Sequence, residues 1–396
     1  MPNPKGFASD GHPPTCPARQ DPSAHLAQLC FGKALHLRGF SFLHNFKINL
    51  DLFCYTWSMK KTRVAINGLG RIGRAFLKLA IKKPELEIVA VNDLGELENL
   101  AYLLKYDSAY GRSRLDIDTA DGNLNIGPQA IKFLQIKDPS QLPWRELDID
   151  VVVEATGVFE SFAKSKAHID AGARKVVISA PVKDEAPVGI PADTVLMGVN
   201  DERLASCQIT SNASCTTNAA SPLIAILNEK IGIEKALLNT VHGYTASQSL
   251  VDAPMKGDFR RGRAAAANIV PSSTGAAVAV TQVVTDLKDK FDGIAMRVPV
   301  ITGSLVDITF VAKRKTSAEE INNLLKAGAE EGRWQEIFDV TEEPLVSSDI
   351  AGNTHASIAD LSFTRVVGGN LCKVLAWYDN EMGYANTLVE HVIKAG

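Results

Sequence analysis

The sequence predicts an α/β protein organised around a doubly wound, mostly parallel β-sheet. Two observations predict this fold class: short β-branched runs alternate with segments of helical apolar spacing, and a glycine-rich turn joins the first run to the first helix. The chain's 396 residues exceed the usual size of one compact core, so we expect two domains.

Composition disfavours several classes of function. The chain is 45% hydrophobic and 22% charged, as soluble globular proteins are, and its formal net charge of -3 gives no electrostatic reason to expect a nucleic-acid or membrane partner. The longest uncharged stretch, residues 264–285, contains too many polar residues to span a membrane. The six cysteines form no C-x-x-C pair, which disfavours a metal site or a disulfide scaffold and favours a location in the reducing cytoplasm.

Residues 1–58 differ from the rest of the chain. Their Pro-, Gly- and Ser-rich beginning has no apolar period, which predicts a disordered or non-native N-terminal extension. Met59, followed by two lysines and a strand pattern, resembles a natural chain start. A targeting peptide is disfavoured because the segment contains acidic residues, and a metal site is disfavoured because its Cys and His residues show no recurring spacing.

The first expected strand–turn–helix unit carries a dinucleotide-binding pattern. In TRVAINGLGRIGRAFLKLA (62–80), Gly68, Gly70 and Gly73 lie between a strand pattern and a helix pattern, and Asp93 follows Gly73 by 20 residues. Such glycines permit a tight turn and let backbone N–H groups approach a pyrophosphate at the helix N-terminus. The carboxylate of Asp93 can bind the adenosine ribose and repels a 2′-phosphate, which favours NAD over NADP. A glycine-rich turn without a ligand is the disfavoured alternative.

The strand–helix alternation continues through VVVEATG (151–157), the helical pattern at 161–173 and KVVISAP (175–181). Ligands bind beyond the carboxyl ends of such strands. Thr156, Gly157 and Ser179 lie at those ends and are candidate cofactor-lining residues, although single residues there are often only turn formers.

A thiol and an imidazole are the candidate reactive groups of the second half. Cys215 in SNASCTTNAA (211–220) begins a helical pattern, and a helix N-terminus is expected to lower its pKa; packing as a small buried hydrophobe is the alternative. His242 follows 27 residues later at an expected strand end, where it could exchange a proton with the thiol. Together with a nicotinamide nucleotide, this pair suggests oxidation of an aldehyde through a thioester.

Several groups suited to phosphate surround these two residues in the sequence. Arginine side chains and free N–H groups at a helix start match phosphate geometry, and we expect at least one arginine of RRGR to be merely solvated or at an interface. The candidates are Arg260, Arg261, Arg263, Thr274, Gly275 and Arg297. The C-terminal stretch 381–396 has helical spacing and an apolar face, and Asn380 lies on the loop before it.

From about Met59 to Gly396 the chain resembles the phosphorylating, NAD-dependent glyceraldehyde-3-phosphate dehydrogenases. The resemblance rests on motifs in family order: INGLGRIGR, VNDL, EATGVF, ISAP, SNASCTTNAASP, TVHGYTASQ, RRGRAAAANIVPSSTGAA, RVPV and WYDNEMGYA. It implies a Rossmann domain over residues 60–213 with 380–396, and a catalytic domain with a mainly antiparallel sheet over 214–379. It also implies a homotetramer, in which an S-shaped loop at about 245–268 lies beside the neighbouring subunit's cofactor.

The resemblance also implies a role for each matching residue. Cys215 is the expected nucleophile, and His242 the base and oxyanion donor, in converting glyceraldehyde 3-phosphate, NAD and inorganic phosphate to 1,3-bisphosphoglycerate. The expected cofactor contacts are Gly68, Gly70, Arg71, Ile72, Gly73, Asp93, Thr156, Ser179 and Asn380. Thr245 and Arg297 match the site of the substrate phosphate. Ser214, Arg261, Thr274 and Gly275 match that of the attacking phosphate.

Departures from the family pattern and two alternatives complete the prediction. Leu94 and Pro254 are the pair that NAD-specific members carry, whereas Ala219 replaces a second cysteine that many members have. The sequence VPVITGSLVD also differs from the usual form after Arg297. An erythrose-4-phosphate dehydrogenase, with water as acyl acceptor, is the nearest alternative, and a non-catalytic NAD-binding sensor is the alternative from another class.

Overall fold

The computed structural model describes residues 60–396, so the prediction for residues 1–58 lies outside the described residues. Up to residue 211 the elements in chain order are β1 (Thr62–Asn67), α1 (Arg71–Ala80), β2 (Leu86–Asn92), α2 (Leu97–Lys105), β3 (Tyr106–Asp107), β4 (Gly111–Arg112), β5 (Ile117–Ala120), β6 (Asn123–Ile126), β7 (Gln129–Leu134), β8 (Val151–Glu154), α3 (Phe162–Asp170), β9 (Lys175–Ile178), β10 (Ala192–Thr194) and β11 (Ile209–Ser211).

The remaining elements follow the strand β11. They are α4 (Cys215–Lys230), β12 (Ile233–Gly243), β13 (Val270–Ser273), α5 (Ala276–Val283), β14 (Phe291–Val298), β15 (Ser304–Ala312), α6 (Ala318–Ala329), β16 (Phe338–Thr341), β17 (Ser357–Val367), β18 (Leu371–Tyr378) and α7 (Met382–Ala395).

The first large sheet is mostly parallel, as the sequence predicted. Its strand order is β10-β11-β9-β8-β1-β2-β7-β6-β5, and every neighbouring pair from β10 to β7 is parallel. The strand β8 reads VVVE and is buried throughout, because helices cover both faces of such a sheet. The carboxyl ends of β1, β2 and β8 therefore lie side by side.

The C-terminal helix packs into the core of this first sheet. Tyr384, Leu388, Val389 and Val392 of α7 belong to the same buried cluster as Ile66 of β1. These positions follow the i, i+4, i+5, i+8 spacing that places side chains on one helical face. The apolar face that the sequence predicted for residues 381–396 is therefore confirmed.

The second large sheet is mainly antiparallel, as the family resemblance implied. Its order is β13-β14-β12-β15-β18-β17-β16, with parallel pairing only between β12 and β14 and between β16 and β17. The helix α4 lies in its core, where Leu223, Ile224, Ile226 and Leu227 are fully buried. Cys215, the first residue of α4, packs against the cores of both sheets. None of the helices within residues 60–396 is long and apolar enough to cross a membrane.

His391 on α7 is a fully buried, neutral histidine. Its Nδ1 donates to Asn212 Oδ1 at 3.1 Å, and its Nε2 accepts from the hydroxyl of Thr210 at 2.8 Å. Burial lowers the pKa of His391 from 6.5 to about 3. Between about pH 3 and pH 6.5, His391 is therefore neutral in the folded protein and protonated in the unfolded chain.

The free energy of unfolding is expected to fall as the pH is lowered from about 6.5 towards 3, and His391→Gln is expected to flatten that decline. The reason is that below its ordinary pKa the histidine binds a proton only in the unfolded state. Urea unfolding at several pH values in this range measures the slope for both proteins. The same acid slope in wild type and variant would contradict this account.

Candidate active site

The turn between β11 and α4 places the thiol. Ala213 has a left-handed backbone (φ 54°), which is uncommon for a residue with a side chain and is held here by full burial and by a hydrogen bond from the Tyr384 hydroxyl to its carbonyl at 3.1 Å. Ser214 then caps the helix, because its Oγ accepts from Thr217 N at 3.1 Å. Cys215 is consequently fixed at the first position of α4.

The structure brings Cys215 and His242 together. Cys215 Sγ lies 3.4 Å from His242 Nε2, and the imidazole is only 3% exposed. His242 is the penultimate residue of β12, so the predicted strand end is confirmed. A thiol and an imidazole at this distance can exchange a proton. A cysteine that only packs in the core needs no such partner, so the pairing favours a reactive cysteine.

Arg297 completes this pair from the neighbouring strand. The parallel register of β12 and β14 places His242 opposite Arg297. Arg297 Nη1 lies 2.7 Å from His242 Nδ1 and donates to Gly243 O at 3.2 Å, while Gly243 O lies 2.6 Å from the same Nδ1. The sequence predicted Arg297 as a phosphate ligand but gave no sign of its contact with the imidazole.

Burial governs the protonation of the pair. It raises the pKa of the Cys215 thiol, and the hydrogen bonds at the helix N-terminus and the positive charge of Arg297 oppose it only partly. Burial, followed by the charge of Arg297, lowers the pKa of His242 to about 3. The expectation that the helix N-terminus sets a low thiol pKa is therefore wrong in its net direction, since desolvation is the larger effect. The resting pair is a neutral thiol beside a neutral imidazole.

Arg297→Leu is expected to shift the alkylation of Cys215 to higher pH. The guanidinium charge lowers the thiol pKa, so its removal raises that pKa further and leaves less thiolate at a given pH. Rates of modification by iodoacetamide across a pH series measure the shift. Arg260→Leu, at an exposed arginine of the RRGR segment, is the matched control; an equal shift in both variants, or in neither, would contradict this assignment.

Tyr378 lies beneath the pair and was missed by sequence analysis. Its hydroxyl is within hydrogen-bond distance of Thr216 Oγ1 (2.9 Å) and Thr240 Oγ1 (2.8 Å), and its ring packs edge-on to His242 at 5.9 Å. It thereby connects the residue after Cys215 to the strand that carries His242. Only its position two residues before Asn380 could have drawn attention to it.

The arginines of the RRGR segment separate into two groups. The side chains of Arg260 and Arg263 are 65% and 62% exposed, as expected for at least one of the three. Arg261 is less exposed, and its Nε donates to Ser272 Oγ at 3.0 Å. Burial is the main cause that lowers the pKa of Arg297, and the positive charge of Arg261 contributes to a smaller degree, as expected for two cations near each other. Two neighbouring cations next to the thiol–imidazole pair suit an anionic ligand.

The other predicted phosphate-binding residues lie at the edges of this region. Thr274 and Gly275 stand at the start of α5, as predicted, with no side chain filling the space over Gly275. Thr245 lies just beyond β12, its hydroxyl 2.9 Å from Ser247 Oγ. Within residues 60–396 no hydrogen bond joins these three residues to the thiol or the imidazole. Ser214 adjoins Cys215, and its hydroxyl serves the helix cap.

The predicted glycine turn lies between β1 and α1. Gly68 has φ 99°, and a side chain on it would come within 2.7 Å of Thr156 N. A side chain on Gly73 would come within 2.0 Å of Gly68 O, so the close approach of α1 to the turn requires glycine there. Gly70 is the N-cap of α1, where no side chain caps the helix and the space above is open.

Asp93 faces the same turn. Its Oδ2 accepts from Leu69 N at 2.6 Å, so the carboxylate stands beside the uncapped helix N-terminus. Leu94, which follows it, is 60% exposed. The open N-terminus can bind a pyrophosphate, and the adjacent carboxylate can accept from ribose hydroxyls, so these residues fit NAD.

Some predicted cofactor contacts are restricted by their partners. The Arg71 guanidinium is paired with Asp107 and Glu381, so Arg71 offers chiefly its backbone atoms to a ligand. Ile72 is partly buried against the core of the first sheet. The Thr156 hydroxyl donates to Glu154 and accepts from Val158 N at 3.1 Å.

Two further predicted cofactor contacts lie at loop positions. Ser179 follows the end of β9, where its N–H donates to Glu154 O at 2.9 Å. Asn380 Oδ1 accepts a hydrogen bond from Ser304 Oγ at 2.9 Å. This bond orients the side-chain amide of Asn380, so that its NH2 group faces away from Ser304.

Comparison with known proteins decides the family. The glyceraldehyde 3-phosphate dehydrogenase NAD binding domain matches residues 62–162, and the C-terminal domain of the same enzyme matches residues 214–380. The chain belongs to the glyceraldehyde 3-phosphate dehydrogenase family. The resemblance found in the sequence is thereby confirmed. The NAD binding match includes the glycine turn and Asp93, and it confirms NAD as the cofactor.

Relatives in this family align over most of their length. Glyceraldehyde-3-phosphate dehydrogenase of Mycolicibacterium smegmatis is 49% identical over 343 residues, covering 84% of this chain and 98% of that protein. The Mycobacterium avium enzyme is 48% identical over 342 residues with the same coverage. The Clostridium pasteurianum enzyme is 46% identical over 333 residues, covering 83% of this chain and 96% of that protein. All three bear the same enzyme name, and none is called a sensor or an erythrose-4-phosphate dehydrogenase.

Proposed function

We propose that this chain converts glyceraldehyde 3-phosphate to 1,3-bisphosphoglycerate with NAD and inorganic phosphate, through a thioester on Cys215. The observation that carries the proposal is the 3.4 Å approach of Cys215 Sγ to His242 Nε2. Around this pair lie the cationic Arg297 and, in the same chain, a turn that fits a dinucleotide.

Attack by Cys215 on the aldehyde carbon is the first step. Sγ forms the C–S bond as its proton passes to His242 Nε2, and His242 then gives this proton to the aldehyde oxygen, which becomes the hydroxyl of a hemithioacetal. Oxidation then removes a hydride from the former aldehyde carbon and a proton from this hydroxyl, which His242 accepts. Bound NAD supplies the hydride acceptor. The product of this half-reaction is an acyl thioester on Cys215.

Inorganic phosphate completes the reaction by attacking the thioester carbonyl. A phosphate oxygen forms the new C–O bond, the C–S bond breaks, and the Cys215 thiolate leaves. The backbone N–H of Cys215 and protonated His242 Nε2 stabilise the oxyanion that forms in between. We assign the attacking phosphate to Ser214, Arg261, Thr274 and Gly275, and the substrate phosphate to Thr245 and Arg297.

The substrate phosphate also prepares His242 as a base. Nδ1 cannot both accept from Arg297 and donate to Gly243 O, although both lie within 2.7 Å. When a phosphate engages Arg297, His242 Nδ1 keeps its proton and donates it in a hydrogen bond to Gly243 O. His242 Nε2 then presents its lone pair to the thiol, so binding of the correct substrate and activation of the nucleophile are linked.

We further propose the domain division and assembly that the family resemblance implies. The first sheet with α7 forms the NAD-binding domain (60–213 with 380–396), and the second sheet forms the catalytic domain (214–379). Exposed apolar side chains support a homotetramer: Leu250, Val251 and Phe259 of the S-shaped loop are 69% to 83% exposed. A surface pocket of about 1130 Å³, lined in part by Leu237 of β12, also lies on the second sheet and offers a face on which a neighbouring subunit can pack. Free thiols at Cys207, Cys215 and Cys372 favour the reducing cytoplasm.

NADH formation with and without inorganic phosphate tests the function. We expect glyceraldehyde 3-phosphate to be oxidised over many turnovers only when phosphate is present, and erythrose 4-phosphate to be the poorer substrate. Phosphate-independent turnover that favours erythrose 4-phosphate would instead establish the enzyme with water as acyl acceptor. NAD binding without turnover of either aldehyde would establish a sensor.

A further inference from the structure

A buried polar network lies under the carboxyl ends of three adjacent strands of the first sheet. Asn67, Asn92 and Glu154 are the last residues of β1, β2 and β8, and Trp144 and His168 extend the network from outside the sheet. We call these five residues the strand-end network. All five are at most 4% exposed. Such burial of polar groups is costly unless every group is hydrogen-bonded.

The Glu154 carboxylate is the centre of the strand-end network. Its Oε2 accepts from Asn67 Nδ2 at 2.6 Å and from His168 Nε2 at 3.0 Å. Its Oε1 accepts from Thr156 N at 2.8 Å and from the Thr156 hydroxyl. Four donors therefore converge on one carboxylate.

His168 is fixed as a neutral donor by its other neighbour. The indole of Trp144 can only donate, and its Nε1 lies 3.0 Å from His168 Nδ1. Nδ1 must therefore carry the lone pair, and the ring proton is on Nε2, facing Glu154. The imidazole cannot switch tautomer without leaving the indole N–H unpaired.

The asparagines are fixed in the same way. Asn92 Nδ2 donates to Ile136 O at 2.9 Å and to Asn67 Oδ1 at 2.7 Å, and Asn92 Oδ1 accepts from Ile136 N at 2.9 Å. Asn67 must therefore direct its Nδ2 at Glu154. With the backbone N–H of Thr156, three of the four donors cannot be turned into acceptors.

The carboxylate holds the peptide against which the glycine turn is packed. Gly68 lies so close to the Ala155–Thr156 peptide that a side chain on it would be 2.7 Å from Thr156 N, the atom that donates to Glu154. The neighbouring backbone is tied in as well, since Ala155 N donates to Asn67 O at 2.7 Å and Gly68 N to Asn92 O at 2.8 Å. Asn92 immediately precedes Asp93.

We propose that Glu154 and His168 are positioning residues of the NAD site, which fix the glycine turn and Asp93 from below through the strand-end network. Both side chains are buried, so they act on the site through the residues that they hold. Their role follows from the sequence of hydrogen bonds that leads from Trp144 through His168 and Glu154 to the Thr156 peptide. The inference rests on the NAD site and is independent of the aldehyde and of the acyl acceptor.

Glu154→Gln is the most direct test, because the amide is nearly isosteric with the carboxylate. In either orientation of the glutamine amide, its NH2 group faces another hydrogen-bond donor, Asn67 Nδ2 or Thr156 N, which cannot become an acceptor. We expect the dissociation constants of NAD and of ADP-ribose, measured by calorimetry on the full chain, to rise at least about tenfold. At saturating NAD, kcat and the KM for the aldehyde are expected to stay within about threefold of wild type.

His391→Gln is the matched control, since His391 is equally buried and makes two hydrogen bonds outside the strand-end network. A loss of NAD affinity in Glu154→Gln that exceeds the loss in a control of similar melting temperature supports the proposal. Wild-type affinity in Glu154→Gln, or an equal loss in both variants, overturns it. Should Glu154→Gln fail to fold, Glu154→Asp replaces it, because the aspartate keeps the charge but is too short to reach Thr156 in the same way. The same comparison of NAD affinity with the control then supports or overturns the proposal.

The ring nitrogens of His168 provide a second readout that does not depend on activity. Nitrogen NMR of the wild-type protein is expected to show His168 protonated at Nε2 only. A ring protonated at Nδ1 would overturn the proposed arrangement, even if the Glu154 variant binds NAD weakly. A protein that lacks aldehyde turnover but shows both predicted results would retain this inference and lose the proposed function.

Discussion

Cys215→Ser is expected to reduce NADH formation by about four orders of magnitude or more, while NAD affinity stays within about twofold of wild type. The hydroxyl that replaces Sγ is a much weaker nucleophile and a poorer leaving group for phosphate to displace. NAD affinity is preserved because the glycine turn and Asp93 lie at the β1–α1 turn, away from the thiol. Steady-state assays and calorimetric titration of NAD on the same preparation measure the two quantities.

Cys372→Ser provides the control for this prediction. Cys372 is a free thiol like Cys215, but it is fully buried on β18 with its Sγ directed at Asn370 O (3.4 Å). We expect this variant to keep its activity apart from a modest loss of stability. If Cys215→Ser retains more than about one hundredth of wild-type turnover, Cys215 is not the nucleophile.

His242→Asn is expected to lower kcat by about 10²- to 10⁴-fold, the usual contribution of a positioned acid–base group. The asparagine can still donate to an oxyanion but cannot take the proton of Cys215. The remaining activity should therefore rise with pH as hydroxide generates the thiolate that His242 otherwise provides. A pH series of kcat for the variant and for wild type measures this difference.

Two results would contradict that role of His242. The first is a kcat within about threefold of wild type, which is too small an effect for a general base. The second is a variant whose residual activity has the same pH dependence as wild type. His391→Gln again serves for comparison, since it removes a histidine of similarly low pKa that lies outside the thiol–imidazole pair.

Features encoded in neighbouring residues could be predicted from sequence. The glycine turn and the position of Asp93 both follow from one strand–turn–helix unit, and the structure reproduces them. The helical pattern predicted to begin at Cys215 is observed as the helix Cys215–Lys230. In each case the chemistry depends on residues that lie close together along the chain.

Features that depend on strand register or burial could not be predicted in this way. The contact of Arg297 with His242 joins residues 55 positions apart, and it exists only because β12 and β14 pair in parallel. The direction of the thiol pKa was predicted wrongly for the same reason. The helix N-terminus is visible in the sequence, but the burial that outweighs it comes from two cores that meet at Cys215.

The acyl enzyme on Cys215 is the most direct test of the proposed chemistry. Intact-mass and peptide mass spectrometry would be applied to protein mixed with glyceraldehyde 3-phosphate and NAD in phosphate-free buffer. We predict a single phosphoglyceryl adduct on Cys215, formed together with one equivalent of NADH per active site and released as the acyl phosphate when inorganic phosphate is added. NADH formation without an adduct, an adduct on another residue, or an adduct that water removes as fast as phosphate does would contradict the account.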